Sequence, residues 1–256
     1  MPQTWGFLTN HALVLVYVVR HNGATVREIA GGVGVTERAT LAILRQLSDE
    51  GIVDRRRDGR RTTYTVNFEK MAAYRRVGTI ALTPREFVDG MIRALLVISG
   101  YHGGNGATLG TDVLDSGALD PAVGTWGFFT NHALLLLSIS MDNGSTVRDM
   151  AQAVGVTERA VVAILNQLED ERIIMRRKQG RRNSYAIDFE ELHAFPRWSP
   201  GEWPLPPQLV DMAVHGLRSL AARSGSGVAV HDDVPAPAPT HTRVAARRSR
   251  VAAARR

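Results

Sequence analysis

The sequence predicts an α+β protein, mainly α with small β-hairpins, built as two tandem copies of one domain. Two observations predict it. Residues 4–69 recur at 125–190 with a constant offset of 121 and no gap, and 39 of the 66 paired positions are identical. A repeat of this length is a domain in its own right, longer than the roughly 20–50 residues of a solenoid unit. Within each copy the apolar pattern is helical as far as residue 50, then alternates around a glycine turn, as in a strand pair. The expected layout is a first domain over 1–101, a Gly-rich linker over 102–124, a second domain over 125–225 and a disordered Pro/Ala/Arg tail over 226–256.

The elements follow in order. Thr9 or Asn10 caps a first helix whose interior, Ala12 to Val19, is wholly apolar and so predicted to be buried on most sides. Asn22-Gly23 (Asn143-Gly144 in the second copy) ends it. Thr25 opens a short helix, with Glu28 three residues on to complete a capping box; Asp149 keeps a carboxylate there in the second copy. Gly34 turns the chain, and Thr36 caps a third helix running to about Glu50. Its apolar positions Thr40, Ile43, Leu44 and Leu47 share one face, as do Val161, Ile164, Leu165 and Leu168. A short helix, a tight turn and a longer amphipathic helix form the helix-turn-helix plan.

Residues 52–66 then read as two strands, with Asp58-Gly59 as the two central turn residues and Gln179-Gly180 in their place in the second copy. Arg55, Arg56, Arg57, Arg60 and Arg61 cluster on this hairpin, and Arg176, Arg177, Lys178, Arg181 and Arg182 repeat the cluster. Five cations so close repel one another, which suits a polyanionic partner; a solvated edge kept from aggregating is the plainer reading. A last helix follows each copy: Thr83-Pro84-Arg85-Glu86 is a cap for the first, and Pro206-Pro207 precedes the second. Their stripes, Phe87, Met91 and Leu95 and then Val210, Val214 and Leu217, are expected to pair two such units, within one chain or as a homodimer.

Composition limits the function. The chain has 256 residues, 44% hydrophobic and 22% charged, as a globular protein has. It contains no cysteine, which removes disulfides and thiolate chemistry together. No apolar run nears the roughly 18 residues of a membrane span, and MPQTWGF lacks the plan of a signal peptide, so a cytoplasmic, nucleoid-associated location is expected. The net charge of +6 is concentrated in the tail, where six arginines face two aspartates. In the body, the position of the charge matters more than its sum. His11 and His132 have no second ligand at helical spacing, and no nucleophile elbow, phosphate loop or zinc-helix motif occurs, so neither an enzyme nor a cofactor or metal is expected.

The segments FLTNHAL, VREIAGGVGVTERA and GRRTTYTVN, with FFTNHAL, VRDMAQAVGVTERA and GRRNSYAID, resemble a bacterial winged helix-turn-helix transcription regulator of the broad MarR/ArsR-like kind, here as two fused copies. The resemblance covers each repeat but not the linker or tail. It implies that the third helix enters the major groove of double-stranded DNA while the hairpin wing reaches backbone or minor groove. The positions carried over are Thr36, Glu37, Arg38, Leu41, Ala42 and Arg45, and Thr157, Glu158, Arg159, Val162, Ala163 and Asn166. Thr36 would meet a phosphate and Arg38 a guanine. Leu41, Ala42, Val162 and Ala163 depart from the polar readers usual there, which implies relaxed specificity or readout of shape.

The linker, as a flexible coil, spans about 26 Å r.m.s. with a much longer maximum reach, which permits two domains to dock on half-sites roughly 34 Å apart. The expected function is a DNA-binding transcription regulator acting as a covalent pseudo-dimer. An architectural, weakly specific DNA binder and a winged-helix protein-interaction module are the alternatives.

Overall fold

A computed structural model describes residues 5–59, 61–73, 85–100, 127–180, 182–195, 198 and 204–224. The linker, the basic tail and the Thr83-Pro84 cap lie outside the described residues. The first copy comprises α1 (Asn10–Arg20), α2 (Val26–Val33), α3 (Glu37–Asp49), β1 (Val53–Asp58), β2 (Arg61–Val66), α4 (Phe68–Ala73) and α5 (Arg85–Ser99). The second comprises α6 (Asn131–Met141), α7 (Val147–Val154), α8 (Glu158–Asp170), β3 (Ile174–Gln179), β4 (Arg182–Ile187), α9 (Phe189–Ala194) and α10 (Pro207–Arg223). Mixed α and β structure, with two separate antiparallel hairpins, is what the periodicities predict.

The caps form where the side chains allow them. The Oγ1 atoms of Thr9, Thr25 and Thr36 each accept from a backbone N–H in the first turn of their helices, and Thr130, Thr146 and Thr157 do the same. Both capping boxes close, through Glu28 and through the shorter Asp149. Gly34 and Gly155 end the second helix of each copy in the left-handed region, at φ 76° and 74°, and so set the entry angle of α3 and α8. Thr40, Ile43, Leu44 and Leu47 are buried on α3 as the spacing predicts.

The hairpin turn differs from expectation by one residue. Asp58 pairs with Arg61 and Gln179 with Arg182, so Asp58 and Gln179 are the last residues of their strands and not turn centres. Gly59 has φ 56° and Gly180 has φ 61°, so the glycine common to both copies supplies the positive φ. Tyr64 and Tyr185, buried on the inner face, hold this register: a slip by one residue would turn each ring to solvent. The short helices α4 and α9 were not foreseen; Phe68, Met71 and Leu192 bury their apolar sides, and Asp188 caps α9.

The two copies join through a reciprocal bridge. Leu8 pairs antiparallel with Phe129; Thr9 N–H donates to Phe128 O and Thr130 N–H to Phe7 O, both at 3.1 Å. The same threonines donate from Oγ1 to Gly127 O and Gly6 O at 2.6 Å. Each thus caps its own helix and ties it to the other repeat. Around the bridge Trp5 stacks on His132 (centroids 4.7 Å apart, planes 5° apart) and on Phe195. Its indole N–H donates to Glu171 Oε2 at 3.1 Å. Phe7 meets Phe129 edge-on and packs on Trp198.

The terminal helices α5 and α10 pack on each other, α5 also against α1 and α10 against α6. The crossing is close at two glycines: a Cβ on Gly216 would lie 2.6 Å from the Phe87 ring, and one on Gly90 2.9 Å from Met212 Sδ. Phe87, Met91, Leu95, Val214 and Leu217 are buried and Val210 is half-buried. These stripes therefore face apolar neighbours inside one chain, where the sequence left open a second chain. The buried apolar residues of both repeats make one continuous core.

Candidate nucleic-acid interface

The face of α3 opposite its buried stripe carries Glu37, Arg38, Ala42 and Arg45, all exposed, with Leu41 half-buried. On α8 the same positions are Glu158, Arg159, Val162, Ala163 and Asn166, all exposed, and Val162 is 42% exposed. Thr36 and Thr157 hold the free N–H groups of these helices, and a carboxylate, Glu37 or Glu158, already occupies each first turn. That carboxylate offsets the positive end of the helix dipole and weakens it as an anion site. Arg38 and Arg159 are the cations beside it.

The hairpin cations divide between two faces. Arg55 pairs across the ladder with Tyr64 and Arg57 with Thr62, so they share the inner face; Arg56, opposite Thr63, points to the outer one. Arg176, Arg177 and Lys178 divide in the same way. All six are exposed. Arg61 is turned back toward the body: its Nη2 donates to Gly23 O at 3.3 Å. Arg60 and Arg181 lie outside the described residues. The sequence places these side chains on one hairpin, but the pleat decides which of them can act together.

One local network escaped the sequence reading. Arg176 Nη2 donates to Asn166 Oδ1 at 3.1 Å and pairs with Glu169 Oε2 at 3.0 Å, while its guanidinium lies 5.7 Å from the centre of the Tyr185 ring. The base of the second hairpin is thereby tied to α8. A Glu two residues before the turn and an Arg at the third place of the next strand leave no periodic signal, so only the fold brings them together.

His11 and His132 each pack against a glutamine. Nε2 of His11 contacts Gln46 Oε1 at 3.1 Å and Nε2 of His132 contacts Gln167 Oε1 at 2.7 Å. Burial lowers the pKa of both below the usual histidine value, against the opposing effects of the glutamine hydrogen bonds and of Glu50 and Glu171. A groove of about 530 Å³ opens beside the bridge, lined by Trp5, Asn10, Asn131, His132 and Gln167 among others. Among the described residues no group of three or more His, Asp or Glu could hold a metal ion, and no helix is long and apolar enough to cross a membrane.

No protein-family model matches this chain, and no curated protein does. The chemistry of the surface is then the guide to function. Each repeat presents an exposed helix face flanked by a cation-bearing hairpin, and the bridge holds the two repeats together.

Proposed function

We propose that the protein binds double-stranded DNA as a covalent pseudo-dimer of two winged helix-turn-helix domains and regulates transcription. Each copy inserts α3 or α8 in the major groove and lays its hairpin along the flanking backbone. The observation that carries this reading is the duplicated pairing of an exposed amphipathic helix with an arginine-rich hairpin, joined across a reciprocal bridge. Two equivalent reading heads related by such a bridge match a duplex, whose two strands repeat the same surface in opposite directions. The exposed Val162 and Ala163, and Leu41 and Ala42 opposite them in the repeat, favour a second reading within the same class. Apolar groups meet thymine methyls but cannot tell all four base pairs apart, as suits an architectural binder of weak specificity.

Fluorescence anisotropy on duplex DNA over a range of salt tests the class. The combined variant Arg56→Ala, Arg57→Ala, Arg177→Ala, Lys178→Ala is expected to weaken binding to every sequence. It should also flatten the salt slope by about 0.9 per lost phosphate contact. Unchanged affinity would remove the hairpins from the interface. Enrichment of sheared genomic DNA then separates the two readings: two related half-sites at a fixed spacing mark a regulator, and even coverage marks an architectural protein.

A further inference from the structure

We propose that the two copies grip the DNA backbone unequally. The first holds a phosphate between Arg45 and Arg55, at the junction of α3 and β1, while the second fills that place from within by the carboxylate of Glu169. The proposal rests on the DNA-binding reading and says which half of the molecule carries the contact.

The two junctions share one backbone frame. Ile52 N–H donates to Leu47 O and Ile173 N–H to Leu168 O, each at 2.9 Å, and Arg55 faces Tyr64 as Arg176 faces Tyr185. In the second copy this frame brings Arg176 onto Asn166 and Glu169. In the first copy Arg45 stands where Asn166 does and Ser48 where Glu169 does. Ser48 is turned into the protein, its hydroxyl donating to Val53 O at 2.8 Å.

Arg45 and Arg55 therefore stand at the two positions that meet in the second copy as Asn166 and Arg176, and no carboxylate stands at the place of Glu169. Among the described residues neither Arg45 nor Arg55 makes an ion pair, and both are exposed. Of the nearby acids, Asp54 projects from the opposite face of β1, and Asp49, one helical turn after Arg45 on α3, makes no ion pair with it. Two adjacent cations without an ion-pair partner repel each other until an anion bridges them, and a phosphate presents oxygens that arginine meets in a fork. Glu169 supplies an equivalent pair of oxygens internally, so Arg176 has less to gain from DNA.

The test exchanges the carboxylate between the copies of the full chain and measures duplex binding against salt. Ser48→Glu installs the internal carboxylate beside Arg45 and Arg55. It is expected to weaken binding and to make the slope of log K against log salt shallower by about 0.9, one phosphate contact. Glu169→Gln releases Arg176 and is expected to tighten binding and steepen the slope by about the same amount. Ser48→Ala, which loses the Val53 hydrogen bond but adds no charge, should keep the wild-type slope and so separates charge from local fold. If the wild type binds with a salt slope and both charge variants match it, unequal grip is overturned while DNA binding stands. If the wild type shows no salt-dependent binding at all, the DNA reading itself fails and this proposal falls with it.

Discussion

At the scale of single residues the duplication is a natural comparison of side chains in one frame. After the third helix the first copy has Gly51 at φ 71°, while the second holds Arg172 at φ 60° in the same left-handed conformation. A residue with a Cβ is strained there by roughly 1–2 kcal/mol. Arg172→Gly is expected to stabilise the chain by about 1 kcal/mol after the entropy of the freer unfolded chain is subtracted, read as a higher urea midpoint. An unchanged or lower midpoint would mean that Arg172 makes compensating contacts. A second pair shows compensation already made. The Tyr17 ring covers Gly32 so closely that a Cβ there would lie 2.0 Å from the ring; the second copy has Ser138 and Ala153 at these places. The large side chain and the glycine are present together or absent together, since close packing admits only one of the two volumes.

At the scale of elements the two threonines of the bridge do most with least. Thr9 and Thr130 each end an extended segment, cap a helix that is buried along nearly its whole length, and donate to the other copy. Thr130→Val removes the cap acceptor and the cross-repeat donor but keeps the shape. A loss of roughly 2 kcal/mol is expected, about half from the cap and half from the carbonyl left without its donor. Chemical denaturation would check this, and a loss below about 0.5 kcal/mol would show that water replaces both bonds. The close crossing of α5 and α10 belongs to the same scale. Phe87 lies over Gly216 and Met212 over Gly90, so each helix offers a large side chain to the other's glycine. A sequence pattern marks such stripes as apolar, but not which stripe they meet.

At the scale of the whole molecule, His11 and His132 make stability depend on pH. Burial lowers both pKa values in the folded state, so the unfolded chain binds more protons just below the ordinary value near 6.5. Stability is then full above about pH 6.5 and falls as acid carries the histidines through their lowered folded values. His132 is the more telling of the two, because protonation would place a charge against the stacked Trp5 ring and beside the bridge. Urea midpoints from pH 8 to pH 5 should fall, and the His11→Asn, His132→Asn variant should fall less. Equal slopes would assign the pH dependence to carboxylates instead.

The sequence by itself determined the local structure of each repeat. The threonine caps, the capping boxes, the helix-ending glycines and the buried face of α3 are all set by neighbours within a few residues, and periodicity reads such interactions directly. The arginine-rich hairpin was legible too, though its turn centre was not, because the register follows Tyr64 and Tyr185 packing on a core that lies far away in the chain. Tertiary structure alone decided how the copies meet: the Leu8–Phe129 bridge, Trp5 on His132, α5 against α10, and a core shared by both copies. It also decided that Glu169 pairs with Arg176 while Ser48 turns its hydroxyl to Val53 O. Such contacts join residues with no fixed spacing between them, and their energy comes from shape and charge brought together only when the chain has closed.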